Sequence, residues 1–398
     1  MNSPAEDSAS TPRNRSTLPI VFSVIIIDLI GFGIVIPILP AYTKDLGASA
    51  GILGLLLATH AALQFLFSPV WGRLSDRFGR RPIMLFTIAG TGLALLMLGL
   101  AESIAGLFVA RLLSGLFSAN ISVATAYVAD VTAESERTRW MAMVGASFGI
   151  GFILGPAMGG LLHPYGPGVP AFAAAGLAAA NFLWAAFSLT EPKRHEARTA
   201  KRAGLRVALG DPVVARLCAT NLIFTIGVAQ LESTFFYWMS DQFGYGVREV
   251  AYILVAMAVV MASIQGGATR PLVKHLGEKR MLVGGLLLMA LAFPAIPAAH
   301  SVGLLMIPLA FSAVGRAIAQ PPMTSMVSMR GDASARGELM GVFQSSAALA
   351  RIFGPLVAGV LYDTWAPSPF LLAGILFAVG ALLSRGLAGP GADRQPAP

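Results

Sequence analysis

The sequence predicts an all-α membrane protein of twelve transmembrane helices in two six-helix pseudo-repeats. Three observations carry this. The 398 residues are 56% hydrophobic and 12% charged, with a mean hydropathy of +0.71; a soluble domain carries about 25% charged residues. Twelve apolar runs, each near the ~20 residues needed to cross a bilayer as a helix, follow one another along the chain. The second half repeats features of the first at a nearly constant offset. Hydrocarbon offers the backbone no hydrogen-bond partner, so runs of this length read as helices.

The runs are 18–39, 51–71, 83–101, 105–129, 140–162, 170–189, 213–239, 248–269, 281–299, 302–325, 339–361 and 367–385. Residues 1–17 are polar and read as a cytoplasmic disordered tail, with no cleavable signal peptide. An N-terminal six-helix bundle covers 18–189 and a C-terminal one covers 213–386. Between them lies a cytoplasmic central loop, 190–212, with Lys193, Arg194, Arg198, Lys201, Arg202 and Arg206. Residues 387–398 form a second cytoplasmic tail. Basic residues set orientation. With the N-terminus inside, inner segments hold 23 Lys and Arg, and outer loops hold two, Lys44 and Arg248. Both termini are therefore expected in the cytoplasm, and a bacterial inner membrane is the expected location.

Composition excludes several classes. One cysteine, Cys218, permits neither a disulfide framework nor a cysteine metal cluster, and five scattered His suggest no metal site. No Ser/His/Asp set and no Gly-x4-Gly-Lys-Ser/Thr loop occurs, so neither an enzyme nor an ATP-driven pump is expected. The net charge of +8 is placed by orientation rather than gathered for nucleic acid.

The repeat is specific. Arg137, Gly155-Pro156 and Gly160 recur as Arg336, Gly354-Pro355 and Gly359 at an offset of 199, and Gly79 recurs as Gly277 at 198. Arg111 and Arg316 sit in the fourth and tenth runs. Duplicated halves with a site between them suit alternating access.

Charges inside a span cost at least ~2.5–3.5 kcal/mol each and are functional candidates. Asp28 lies ten residues into the first run, about 15 Å deep at 1.5 Å per residue. Arg111 is expected at similar depth. The two are a candidate ion pair or proton switch, with a permanent structural salt bridge as the alternative. Burial disfavours a charged carboxylate and a nearby guanidinium favours it, so movement of the arginine or arrival of a cationic substrate would change proton occupancy. Glu232, Arg316, Arg351, His60, Gln64, Asn120 and Gln344 are expected to line the substrate cavity. Methionines, which adapt to varied apolar ligands, concentrate in the second half.

The fifth run carries Gly145, Gly149, Gly151, Gly155, Pro156, Gly159 and Gly160. Glycines let helices approach closely and Pro156 removes one helical hydrogen bond, so a bend at the interface of the halves is expected there, echoed by Gly354-Pro355. Between the second and third runs stands a charged knot with Gly72, Asp76, Arg77, Gly79, Arg80 and Arg81. It reads as a tight hairpin in which Gly72 and Gly79 permit packing and turning. Arg77, Arg80 and Arg81 are expected to pair with Asp130 as a cytoplasmic gate.

These motifs resemble the major facilitator superfamily. The pattern Gly72-x-Leu74-x-Asp76-Arg77-x-Gly79-Arg80-Arg81 is similar to its signature loop. Arg111-Leu-Leu-Ser-Gly115 resembles a fourth-helix motif whose Arg is associated with proton transfer, and Gly145–Gly160 resembles the antiporter motif of the fifth helix. Together they point to the twelve-helix drug:proton antiporter branch, with wording closest to tetracycline efflux proteins. The resemblance implies the major facilitator fold, a transport role for Asp28, capping of the eleventh helix by Asp76, and a meeting of Arg80 with Asp130. Acids that tetracycline exporters carry in the third and ninth helices are absent from 83–101 and 281–299.

The expected function is a proton-coupled exporter of small amphipathic compounds working by alternating access. A facilitator or proton symporter for a metabolite and a non-transporting receptor are the alternatives. No cofactor is expected, the proton gradient being the energy source. The expected partners are a small-molecule substrate, protons and the lipid bilayer, with no nucleic acid, and the chain is expected to be a monomer.

Overall fold

A computed structural model describes residues 17–132, 134–192, 210–330 and 333–387. Most of the tails at 1–17 and 387–398 and of the central loop at 190–212 therefore lies outside the described residues, as do the side chains of Arg137 and Arg336. Among the described residues the chain is helical, without strands.

The spans follow the apolar runs. In order, spans one to three are Leu18–Asp45, Ala50–Phe78 and Arg80–Gly99. The fourth is two helices, Ile104–Phe117 and Asn120–Val131. The fifth and sixth are Glu134–Leu162 and Val169–Ser188. The seventh is Pro212–Phe243. The eighth is Val247–Ser263, a π-turn Ile264–Ala268 and Thr269–Leu276. The remaining four are Glu278–Ala295, Val302–Ser328, Ala333–Thr364 and Ser368–Arg385. Eleven of these are long and apolar enough to cross a membrane. The ninth, at 18 residues, spends its first turn on Glu278, Lys279 and Arg280.

Several helices outrun the apolar stretches that predicted them, because a helix satisfies its own backbone in water as well as in lipid. The second continues through the charged knot to Phe78. The expected hairpin is thus a single residue, Gly79, at φ +109°, a conformation only glycine adopts without strain. Gly72 takes no part in the turn: it is inside the helix with no neighbour within 4 Å of an added Cβ.

The chain divides into two compact units, Met1–Val35 with Leu63–Ala197 and Ile36–Ala62 with Arg198–Pro398. In the first, Val21, Ile25 and Leu29 of span one pack with Met84 and Ile88 of span three and with Tyr127 and Val128 of span four. Tyr127, fully buried, reaches the Thr190 carbonyl at 2.6 Å. In the second unit, Phe377 of span twelve meets Phe293 of span nine at 4.8 Å between ring centres and Phe224 of span seven at 6.0 Å.

Close approach between helices is made by glycine. Lipid tails are as apolar as leucine, so helices in a bilayer gain by packing closely. A Cβ at Gly155 of span five would lie 2.6 Å from Gly33 Cα of span one, and Gly151 sits against Leu29. In the other unit a Cβ at Gly359 of span eleven would lie 2.8 Å from Gly51 Cα, and one at Gly354 would lie 2.6 Å from Ala229 Cβ. Gly159 and Gly160 are buried, whereas Gly145 and Gly149 have no neighbour within 4 Å. Only part of the glycine stripe therefore packs. Pro156 and Pro355 lie inside continuous helices.

Gly155→Leu should cost more than the ~1–3 kcal/mol usual for an overfilled core, because backbone rather than a side chain blocks the space. Gly149→Leu should be neutral. Thermal denaturation of the purified variants followed by size-exclusion chromatography tests the contrast.

Candidate transport site

Asp28 projects from the middle of span one and is half-buried. Its Oδ1 accepts a hydrogen bond from Asn120 Nδ2 at 2.7 Å, and the same amide reaches Thr91 Oγ1 of span three at 3.2 Å. Asn120 is 2% exposed. Its own Oδ1 is buried without a hydrogen-bond partner among the described residues. A cavity of ≈ 10 Å³ adjoins the group, with Asp28, Thr91, Asn120 and Asn181 as its polar lining. That is about the space one water needs.

The backbone of span four puts Asn120 there. The helix stops at Phe117 and restarts at Asn120, with Ser118 at ψ 62° and Ala119 at φ −122°. Ser and Gly at positions 114, 115 and 118 are weak helix formers. Span two meets the break: Trp71 Nε1 donates to the Leu116 carbonyl at 2.7 Å, and Gln64 Nε2 donates to the Ser118 side-chain Oγ at 2.8 Å. Gln64, expected in a substrate cavity, thus steadies the break.

The expected Asp28–Arg111 ion pair is not formed among the described residues. Arg111 is 4% exposed, and its buried Nε has no hydrogen-bond partner there. Depth alone suggested the pairing. Span one runs on to Asp45, 17 residues beyond Asp28, whereas Arg111 is 7 residues and Asn120 16 residues from Ile104 at the start of span four, so Asn120 rather than Arg111 is level with the carboxyl.

At the hairpin, Arg80 is the hub. It pairs with Asp130 of span four at 2.8 Å and with Asp76 at 2.6 Å, and donates to Ser75 Oγ at 2.7 Å. The expected meeting of Arg80 with Asp130 is observed. Arg81 instead donates to the Ala186 carbonyl at 2.7 Å, and Arg77 lies over the Phe78 ring at 5.3 Å. Neither forms an ion pair with Asp130 among the described residues. One participant was not foreseen. Glu191 accepts from the Arg80 and Arg81 backbone N–H groups at 2.5 and 2.9 Å, placing an anion at the start of span three, where the helix dipole favours it. A lone acid just past the sixth run was its only sequence signal.

The second unit holds the remaining charges. Glu232 of span seven pairs with Arg316 Nη1 of span ten at 2.7 Å. Arg351 of span eleven is exposed and lies within electrostatic reach of both. Beside Arg316 is a pocket of ≈ 20 Å³ walled by Met257, Met261, Met289, Phe293 and Leu231. Gln344 is exposed on span eleven, and His60 is buried in span two. Neither is part of this cluster's pocket lining.

The same unit carries a further network that the sequence did not announce. Lys44 forms an ion pair with Asp241 and donates to Ser240 Oγ at 2.8 Å. Tyr362 OH donates to Asp241 at 2.8 Å. Tyr237 OH lies 2.9 Å from the Ala48 carbonyl. Asp363 accepts from the N–H groups of Ala50 and Gly51 at 3.0 and 2.9 Å, capping the start of span two. These contacts fasten the ends of spans one and two to spans seven and eleven.

Long apolar helices with a half-buried carboxyl in one and an ion-paired arginine cluster in others define a polytopic membrane carrier. The family model of the Major Facilitator Superfamily matches residues 21–270 and 268–397, and the chain belongs to that superfamily of transporters. It is 30% identical over 383 residues to the tetracycline resistance protein, class C, of Escherichia coli, covering 93% of this chain and 95% of that protein. Multidrug resistance protein 2 of Bacillus subtilis (strain 168) is likewise 30% identical over 383 residues, with the same coverage. Among solved structures, the human organic anion transporter MFSD10 (TETRAN) superposes with a TM-score of 0.71 at 26% identity, covering 94% of this chain and all of that one. The resemblance carried by the hairpin and by the motifs of the fourth and fifth runs is therefore sound.

Breaking the hairpin hub by Arg80→Asp should lower the transport rate at least tenfold, and adding Asp130→Arg should restore part of it. Comparing initial rates of the single and double variants at matched amounts in membrane tests whether the pair or the separate charges matter.

Proposed function

We propose that this transporter is a proton-coupled exporter of small amphipathic compounds, residing in a bacterial inner membrane with both termini cytoplasmic. The proton gradient drives it, and no cofactor takes part. The observation that carries this reading is the setting of Asp28. An arginine partner would hold the carboxyl ionised. A neutral amide donates to the oxygen of either form, so Asn120 keeps its hydrogen bond whether or not a proton is present. The adjoining water-sized cavity supplies room for the proton's carrier. Arg111, buried on the same broken span, supplies a positive charge whose distance from Asp28 changes when span four moves.

Alternating access between the six-helix halves suits the two charged networks. Arg80 with Asp76 and Asp130 guards the hairpin end. Lys44 with Asp241 and Tyr362 guards the ends of spans one, seven and eleven in the second unit. Each has partly exposed ion pairs, which are worth only ~0–1 kcal/mol, so both are weak enough to open in turn. The tetracycline and multidrug resistance relatives support export of drug-like molecules. The absence of acids from 83–101 and 281–299 favours a broader amphipathic range than a cationic metal–tetracycline chelate.

The test is efflux in inverted membrane vesicles under an imposed pH gradient, with substrates chosen from a growth-sensitivity panel of cells with and without the protein. Asp28→Asn should abolish gradient-driven accumulation while leaving exchange of substrate across the membrane intact. Undiminished coupling in this variant would remove Asp28 from the mechanism. Substrate-induced proton movement in the same direction as substrate would establish symport instead.

A further inference from the structure

We propose that the cluster of Arg316, Arg351 and Glu232 is a binding subsite for the anionic group of an amphipathic organic anion, whose apolar body enters the methionine pocket beside it. The inference rests on the transporter reading and names the substrate chemistry of that protein.

Charge balance is the first argument. Two guanidinium groups and one carboxylate share the site, leaving one positive charge without a counter-ion among the described residues. An excess charge within apolar spans is expensive, and an incoming anion removes the excess. A cation would worsen it.

Donor capacity is the second. Each guanidinium carries five N–H donors. Arg316 commits Nη1 to Glu232 at 2.7 Å, and its Nε is buried without a hydrogen-bond partner among the described residues. Glu232 and Arg316 keep side-chain exposures of 46% and 30%, so the pair is open to a visitor. Arg351 is exposed, and no hydrogen bond or ion pair joins it to a described residue. A carboxylate or sulfonate is matched in shape to such forks.

The apolar surroundings are the third. Arg316 closes one end of a pocket lined by Met257, Met261, Met289 and Phe293. Its ≈ 20 Å³ holds little more than a water molecule as it stands. Methionine side chains are unbranched and repack readily, so the pocket can widen around an aromatic body. The same feature allows a range of ring systems while the guanidinium groups select the charge.

Glu232 is then the competitor that the substrate displaces. It occupies Arg316 when the site is empty and yields one donor face when an anion arrives. Removing its charge should strengthen anion binding, which a purely structural ion pair would not do.

The experiment measures equilibrium binding to the full chain in lipid nanodiscs with three probes of one ring system: 2-naphthoate, 2-naphthalenemethanol and 2-naphthylmethylammonium. The expected order is naphthoate tightest, with a Kd at least tenfold below that of the ammonium compound. Arg316→Gln and Arg351→Gln should each erase most of that preference, Arg351→Lys should keep it, and Glu232→Gln should tighten naphthoate severalfold. Equal binding of the three probes by the unaltered protein, or weaker naphthoate binding by Glu232→Gln, would overturn the assignment. Neither reading depends on the arginine variants folding. Proton-driven efflux of a compound without any naphthoate preference would leave the exporter reading standing and sink this one. Naphthoate preference without gradient-driven transport would do the reverse.

Discussion

A carboxyl placed half-way along an apolar helix must be satisfied by protein, since lipid offers it nothing, and much of the N-terminal half is arranged around that need. The insertion cost of such a group is at least ~2.5–3.5 kcal/mol. A hydrogen bond to a charged group returns about 1.5–3 kcal/mol. Asn120 therefore offsets most of the cost without locking the group in one protonation state. To present that amide, span four gives up its helix between Phe117 and Asn120. Span two then satisfies the Leu116 carbonyl through Trp71 and holds the Ser118 hydroxyl through Gln64, while span three contributes Thr91. Four spans are tied together through one acidic side chain.

The helix on the other side of Asp28 is held by different means. Leu29 and Gly33 receive Gly151 and Gly155 of span five at distances that exclude any larger residue. In the other unit the Gly354 copy meets Ala229 of span seven, and Gly359 of span eleven meets Gly51 of span two. Repetition has thus kept close helix contacts made by glycine. The charged chemistry beside them has diverged, to Asp28 with Asn120 in one half and Glu232 with two arginines in the other. An acid-centred cluster and a base-rich one thus stand in the same chain.

The spans were legible because length and apolarity report directly on the bilayer, and Gly79 because a turn between two long helices needs a residue free to adopt positive φ. Asp28 was legible as a rare charge at mid-depth, and Arg80–Asp130 through its motif. The partner of Asp28 was misjudged. Span one outruns its apolar stretch to Asp45, which takes Asp28 out of level with Arg111, and the break in span four, which orients Asn120, leaves only a faint trace in Ser114, Gly115 and Ser118. Glu191, Asp241 and Asp363 were passed over because each sits at a helix end, where acids are ordinary. Their roles depend on which backbone or lysine comes to meet them.

Sequence alone determined which segments are long and apolar enough to cross a membrane and how far along them each charge stands. It could not determine azimuth, the direction in which each side chain points around its helix axis. That was decided by packing in the folded protein, through close glycine contacts and an interrupted helix. For Asp28 that choice is an amide in place of a guanidinium.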